Sequence, residues 1–177
     1  MKPYLLLIYF IFVLLSVFAC RKEEKRKLSR DEIREQQEML LRVNKYLVKK
    51  DIELIKSYIE RRGWEMEVTE SGLFYQIYKH GNGEKALNGK NVTINYVVSL
   101  LDGTICYDSE NLGPKEFVIG KSDEESGLEQ GVLMMQVGDK ARFIMPPHLA
   151  HGLLGDENRI PARSIIVYEV ELLEVSD

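Results

Sequence analysis

The stretch from Val92 to Val175 constrains the fold of this chain most, because apolar and polar residues alternate along several of its short segments. Such alternation, clearest in residues 92–96 and 168–172, is typical of strands that bury one face. The stretch holds no candidate nucleophile, metal-binding cluster or phosphate-binding loop. It therefore predicts short strands around a pocket lined by aromatic and aliphatic side chains.

Length and charge limit the classes of protein to which the chain can belong. Its 177 residues suffice for one ordinary domain and an extension. The net charge of −4 comes from interspersed acidic and basic residues, which fits a globular protein. The second half has no dense basic stripe with interleaved aromatics, so a nucleic-acid partner is not expected.

The N-terminus has the pattern of a targeting segment, which takes no part in the fold. Lys2 precedes an apolar run over residues 5–19, shorter than the ~20 residues of a membrane-spanning helix. The run ends at Ala19-Cys20, and this junction resembles the lipoprotein box of bacteria. The resemblance implies a signal peptide over 1–19, a charged tether over 20–28, and a lipid anchor on Cys20. An ordinary secretory peptide and an uncleaved anchor are the alternatives.

A helical arm is predicted over residues 29–63. Ser29 and Glu32 match a capping box, and Gly63 is a stop signal. Apolar residues follow at helical spacing, and Asp51 could restart a second helix after a bend at residues 49–50. The narrow apolar stripe fits either a homodimer through the arm or a monomeric spacer helix.

Motifs in the second half occur in a fixed order that resembles the FKBP-type peptidyl-prolyl cis/trans isomerases. They are Ile94-Asn95-Tyr96, Tyr107-Asp108-Ser109, Phe117-Val118-Ile119-Gly120, Gly127-Leu128, Leu149-Ala150-His151-Gly152, Arg159-Ile160-Pro161 and Val167-Tyr168-Glu169-Val170. Ser71-Gly72-Leu73-Phe74-Tyr75 is similar to the first strand of Mip-type and other bacterial envelope members. The resemblance covers residues 66–175. The whole layout is similar to gliding-motility-associated FKBP lipoproteins.

The resemblance implies an α+β fold, in which an antiparallel sheet of about five strands curls around one short helix at residues 124–133. It also implies an isomerase of prolyl bonds that assists folding of exported proteins in the cell envelope, facing the periplasm or the cell surface. Rotation about a prolyl amide faces a barrier of about 18–20 kcal/mol. A pocket that excludes water and prefers the twisted amide lowers this barrier without a cofactor or metal.

The family pattern also implies the site residues. The catalytic positions are Tyr96, Tyr107, Asp108 and His151, and the substrate-binding positions are Phe117, Glu125, Leu128, Ile160 and Tyr168. A backbone amide near Glu125 would hold the substrate carbonyl. The chain departs from the pattern where Tyr107 replaces Phe, Leu128 replaces Trp, Glu124-Glu125 replace Val-Ile, and His151 replaces Tyr.

These departures leave other functions open. The chain could be a catalytically weak FKBP-like binding module or chaperone, or a structural lipoprotein of an envelope complex. Taken singly, Tyr96, Phe117, Ile160 and Tyr168 are typical core residues. Cys106 is expected to be a small buried apolar side chain. His148 and His151 follow a proline pair and have no third ligand nearby, so no metal site is expected.

Overall fold

The structure, a computed structural model, describes residues 29–177. The signal peptide, the tether and Cys20 lie outside the described residues. The elements, in chain order, are α1 (Arg30–Arg62), β1 (Glu67–Val68), β2 (Phe74–Lys79), β3 (Asn91–Leu100), β4 (Ile105–Asp108), α2 (Ser109–Leu112), β5 (Lys115–Val118), α3 (Ser126–Val132), β6 (Lys140–Met145), a 3-10 turn (Pro147–Leu149) and β7 (Ile166–Ser176).

The arm is one continuous helix. Its capping box is confirmed: the Ser29 N–H donates to Glu32 Oε2 at 2.8 Å, and the Glu32 N–H donates to Ser29 Oγ at 3.2 Å. The helix ends before Gly63, whose φ of 63° is a left-handed conformation that glycine adopts readily. The predicted bend and restart at Asp51 are wrong, because α1 runs through that position and Asp51 is a buried helical residue.

The chain divides into two units, residues 1–42 and 43–177. The described part of the first unit is the beginning of α1, where nearly every side chain is exposed. The second unit holds the rest of α1 and the whole sheet. Among residues 29–177, the structure has no helix with the length and apolarity needed to cross a membrane.

The sheet has seven antiparallel strands rather than about five. The order is β1-β2-β6-β7-β3-β4, and β5 pairs with β3 as well. The expected count is lower because strands such as β1 and β5 have only two and four residues, and so few residues show no clear alternation. The long strands β3 and β7 pair along nearly their whole length and form the middle of the sheet.

One face of the sheet packs against α3, the predicted short helix. Leu128 and Val132 of this helix are fully buried in the main core with Phe143 of β6. Gly131 faces the Phe143 ring so closely that a Cβ atom there would lie 2.6 Å from it. The absence of a side chain at Gly131 therefore lets the helix approach the sheet.

The other face packs against the second half of α1. Ile55 and Tyr58 are buried against Ile144 of β6 and Val167 of β7. These two strand residues directly neighbour Phe143 and Tyr168, which face the main core, as expected from the alternation of side chains along a strand. The sheet therefore buries both faces, and its α3 side carries the cleft described next.

Candidate active site

A cleft of about 350 Å³ opens on the α3 side of the sheet. Strands β3, β4, β5 and β7, the start of α3 and the loop after the 3-10 turn each contribute to its wall. Its lining residues are Tyr96, Val98, Tyr107, Lys115, Glu125, His151, Asp156, Asn158 and Tyr168. Five of the predicted site residues meet in this cleft, namely Tyr96, Tyr107, Glu125, His151 and Tyr168.

Glu125 connects two of the other predicted residues. Its Oε1 accepts a hydrogen bond from the Tyr168 hydroxyl at 2.9 Å and lies 2.8 Å from His151 Nε2. Burial is the main cause that raises the pKa of Tyr168 well above its ordinary value, and the nearby Glu125 carboxylate adds to the effect. The Tyr168 hydroxyl therefore stays protonated and holds Glu125 in place.

Tyr107 and Asp156 form a second connected pair. The Tyr107 hydroxyl donates to Asp156 Oδ2, while the N–H groups of Asn158 and Ile160 donate to Asp156 Oδ1 at 2.9 and 2.7 Å. Burial raises the pKa of Asp156, but these hydrogen bonds outweigh burial and lower it to about 2. An ionised Asp156 therefore fastens the 156–160 loop to the Tyr107 ring.

Lys115 borders the third side of the cleft. Its Nζ lies 2.5 Å from Glu124 Oε2 and 5.3 Å from the centre of the Tyr96 ring. An ammonium group at this distance from an aromatic face is attracted by the electrons of the ring. The Tyr96 ring also lies beside that of Tyr168, with 6.4 Å between their centres. Two tyrosine rings and a paired cation thus share this wall.

Phe117, Leu128 and Ile160 do not line the cleft. All three are buried in the main core, with exposed fractions of 6, 0 and 3%. Phe117 lies on the same side of β5 as Lys115 but two residues further along, about 7 Å from it along the strand. The expectation of a cleft lined by rings and branched carbons is therefore wrong in part. Among the described residues, Val98 is the one aliphatic side chain in the wall, and four others are a lysine, a histidine and two acids.

Asp108 is also absent from the cleft wall. Its Oδ1 accepts a hydrogen bond from the Asn111 N–H at 2.8 Å, which makes it the N-cap of α2. Hydrogen bonds from the Asn111 side chain and backbone lower the pKa of Asp108. Asp108 pairs with Val97 of β3, and the side chains of directly paired residues lie on the same face of the sheet. The Asp108 side chain therefore leaves the strand on the face opposite to that of Tyr96 and Val98. The structure brings Tyr107 rather than Asp108 into the cleft.

Sequence reasoning missed four wall residues, namely Val98, Lys115, Asp156 and Asn158. The segment Asp156-Glu157-Asn158 carried a signal, because Asp and Asn often accept hydrogen bonds from the backbone two residues further on. No such sequence signal pointed to Lys115, because an isolated lysine at the start of a strand is usually solvated. Among residues 29–177, no group of three or more His, Cys, Asp or Glu side chains is arranged to hold a metal ion.

Comparisons with known proteins agree with this architecture. The model of the family described as FKBP-type peptidyl-prolyl cis-trans isomerase matches residues 82–173. FkpA of Buchnera aphidicola, a protein named as such an isomerase, is 34% identical over 125 residues, which are 70% of this chain and 48% of that protein. FK506-binding protein 2 of Yarrowia lipolytica is 34% identical over 107 residues, which are 60% of this chain and 74% of that protein.

Solved structures show the same likeness. The crystal structure of FkpA from Escherichia coli is matched with a TM-score of 0.62 and 30% identity, over 95% of this chain and 81% of that one. The structure of AtFKBP13 is matched with a TM-score of 0.60 and 30% identity, over 62% of this chain and 98% of that one. The chain spans about half the length of the FkpA relative from Buchnera.

Proposed function

The chain belongs to the FKBP-type peptidyl-prolyl cis-trans isomerase family, and we propose that it catalyses rotation about the bond before proline in other polypeptides. The observation that carries the proposal is the cleft, in which Tyr96, Tyr107 and Tyr168 come together inside the segment that the family model matches. The proposed substrates are exported proteins during folding.

The proposed mechanism needs no bond to break. The rings of Tyr96 and Tyr107 exclude water from the prolyl amide. Because water stabilises the planar amide more than the twisted amide, its exclusion favours the twisted form. The Glu125 backbone N–H, at the start of α3, holds the substrate carbonyl. The His151 ring, whose Nε2 contacts Glu125 Oε1 in the free protein, turns from that contact to donate a second hydrogen bond as the amide twists. Interactions that are stronger with the twisted amide than with the planar one raise the rate, about tenfold for each 1.4 kcal/mol.

The chain offers a matched pair of histidines to test this mechanism. His151 lines the cleft, whereas His148 is exposed and contacts the Ser71 carbonyl oxygen. We expect His151→Ala to lower kcat/KM for a proline tetrapeptide about tenfold, and His148→Ala to leave it unchanged. A coupled isomerisation assay on the full-length chain measures both. Equal rates for the two variants and the parent would exclude a role of His151 in the mechanism. A parent rate no higher than background would exclude the proposed isomerase activity.

A binding module or chaperone without isomerase activity is the second candidate. The polar character of the cleft favours it, because Lys115, Glu125, His151 and Asp156 replace much of the expected apolar wall. A chaperone of this kind would delay aggregation of an unfolded protein while the tetrapeptide rate stays at background.

The envelope location is a further part of the proposal. Its support is the sequence alone, in which the apolar run ends at Ala19-Cys20 and turns directly to charged residues. We propose that Cys20 carries the lipid anchor, as in the gliding-motility-associated FKBP lipoproteins that the layout resembles. Metabolic labelling with a fatty acid should mark the parent protein and leave Cys20→Ser unlabelled. Equal labelling of both would exclude the anchor at Cys20.

A homodimer through α1 is the proposed assembly. Its support is the exposed apolar side chains of the arm, since Leu40, Val43 and Tyr46 expose 62, 48 and 65% of their surface. We expect the full-length chain in detergent to sediment as a dimer and Leu40→Glu as a monomer, because a buried charge opposes pairing. Lys45→Glu, a charge change toward the other side of the helix, is the control and should leave the dimer intact. A monomeric parent chain would instead support the spacer helix.

A further inference from the structure

Two acidic side chains and one lysine line the cleft. Lys115 is occupied, because its ammonium group is paired with Glu124. Asp156 is ionised at neutral pH, since its pKa is about 2. Glu125 adds a second carboxylate, whose Oε1 lies 2.8 Å from His151 Nε2. Two carboxylates, those of Glu125 and Asp156, therefore border the empty space, and the lysine beside them is already paired.

One oxygen of this cleft has no partner among the described residues. Glu125 exposes 9% of its side chain, and its Oε1 takes both of its contacts, the Tyr168 hydroxyl and His151 Nε2. Glu125 Oε2 is buried and accepts no hydrogen bond from residues 29–177. Buried carboxylate oxygens normally accept hydrogen bonds, because their loss of hydration is otherwise uncompensated. A cationic group that enters the cleft would be attracted by this incompletely hydrogen-bonded carboxylate and by that of Asp156.

We infer that this cleft selects prolyl segments in which Lys or Arg is the residue next to the proline. The inference rests on the proposed function and names its substrate class. The rings of Tyr96 and Tyr107 contact the prolyl ring, while the basic side chain reaches toward the Glu125 carboxylate within the same 350 Å³ space. An acidic side chain at that position meets two carboxylates and is rejected. Glu125 is thus the residue that determines specificity.

Tetrapeptides that differ at one position test the inference. The residue before proline is Lys, Arg, norleucine or Glu, and a second set carries the same residues after proline. Norleucine has the length of lysine without its charge. We expect kcat/KM to be about tenfold higher for Lys or Arg than for norleucine in one of the sets, with Glu lowest. The ratio should shrink as salt is added, because screening weakens the attraction.

A matched pair of variants locates the effect. Glu125→Gln keeps the size of the side chain and an oxygen for Tyr168 but removes the charge, and we expect the ratio of Lys to norleucine to fall close to one. Glu174→Gln removes the same charge from an exposed position far along β7 and should keep the ratio. Equal ratios for the two variants would overturn the role of Glu125.

The outcomes separate this inference from the proposed function. Turnover of all peptides without preference for Lys or Arg overturns the inference and leaves the isomerase intact. If no peptide is turned over, calorimetric titration of the full-length chain with the Lys and norleucine peptides decides. Tighter binding of the Lys peptide then supports the selectivity and rejects the isomerase, whereas equal binding rejects both.

Discussion

Leu172→Ala is expected to lower the free energy of unfolding by about 2–5 kcal/mol, the usual range for a truncated core leucine. Leu172 is fully buried in the main core and pairs with Ile94 of β3. The loss includes the transfer free energy of the removed carbons and the cavity that they leave. Urea denaturation followed through the single tryptophan, Trp64, measures the change.

Leu173→Ala is the matched control for this prediction. The pairing of β3 with β7 passes from Leu172 directly to Glu174, so Leu173 lies at an irregularity and exposes 37% of its surface. We expect a change of about 0.5 kcal/mol, as for other surface positions. Equal losses for the two leucines would contradict the arrangement of the two faces of β7.

Asp156→Ala is expected to lower kcat/KM on the proline tetrapeptide about 100-fold and also to lower the free energy of unfolding, because a carboxylate with a depressed pKa stabilises the folded chain at neutral pH. The Asp156 carboxylate joins the Tyr107 hydroxyl to the backbone of the 156–160 loop, and without it both sides of the cleft lose their position. A displacement of about 1 Å in a reaction site can cost a factor of this size. Asp156→Asn retains one oxygen for the loop and should have intermediate activity.

Asp102→Ala provides the control for Asp156. Asp102 accepts a hydrogen bond from the Thr104 N–H at 2.9 Å in an exposed turn away from the cleft, so the same kind of local contact is removed without effect on the wall. We expect wild-type rates for this variant. Parent-like activity of Asp156→Ala would show that the loop holds its place without the carboxylate.

Local patterns in the sequence were sufficient for several elements, although not for the unbroken course of α1 or for the two-residue β1. The capping box at Ser29 and Glu32 predicts the start of α1, and Gly63 predicts its end, because both signals act within one helical turn. The alternation of residues 92–96 predicts β3 in the same way. The ordered motifs were sufficient for the family, since such an order over some 80 residues does not arise from composition.

The cleft depended on longer-range geometry. The motif that contains Phe117 suggested an aromatic wall, but the register of β5 against β3 places Lys115 there instead. Likewise Asp108 and Tyr107 are adjacent in sequence, and only the pairing of β4 with β3 decides which of them faces the cleft. A motif does not reveal a shift of one or two residues along a strand. A shift of one residue moves a side chain to the other face of the sheet, and a shift of two moves it about 7 Å along the strand.

The sequence by itself determined the family, the helical arm and the strand segments, because these follow from spacing and caps within short windows. Only the tertiary structure decided that charged side chains line the cleft and that Asp156 holds the Tyr107 hydroxyl. It also decided that one oxygen of Glu125 has no hydrogen-bond partner in the part of the chain that the structure describes. The physical reason is that hydrogen bonds and burial join residues far apart in the chain, as Glu125 and Tyr168 are, and their partners are fixed only when the sheet closes around α3.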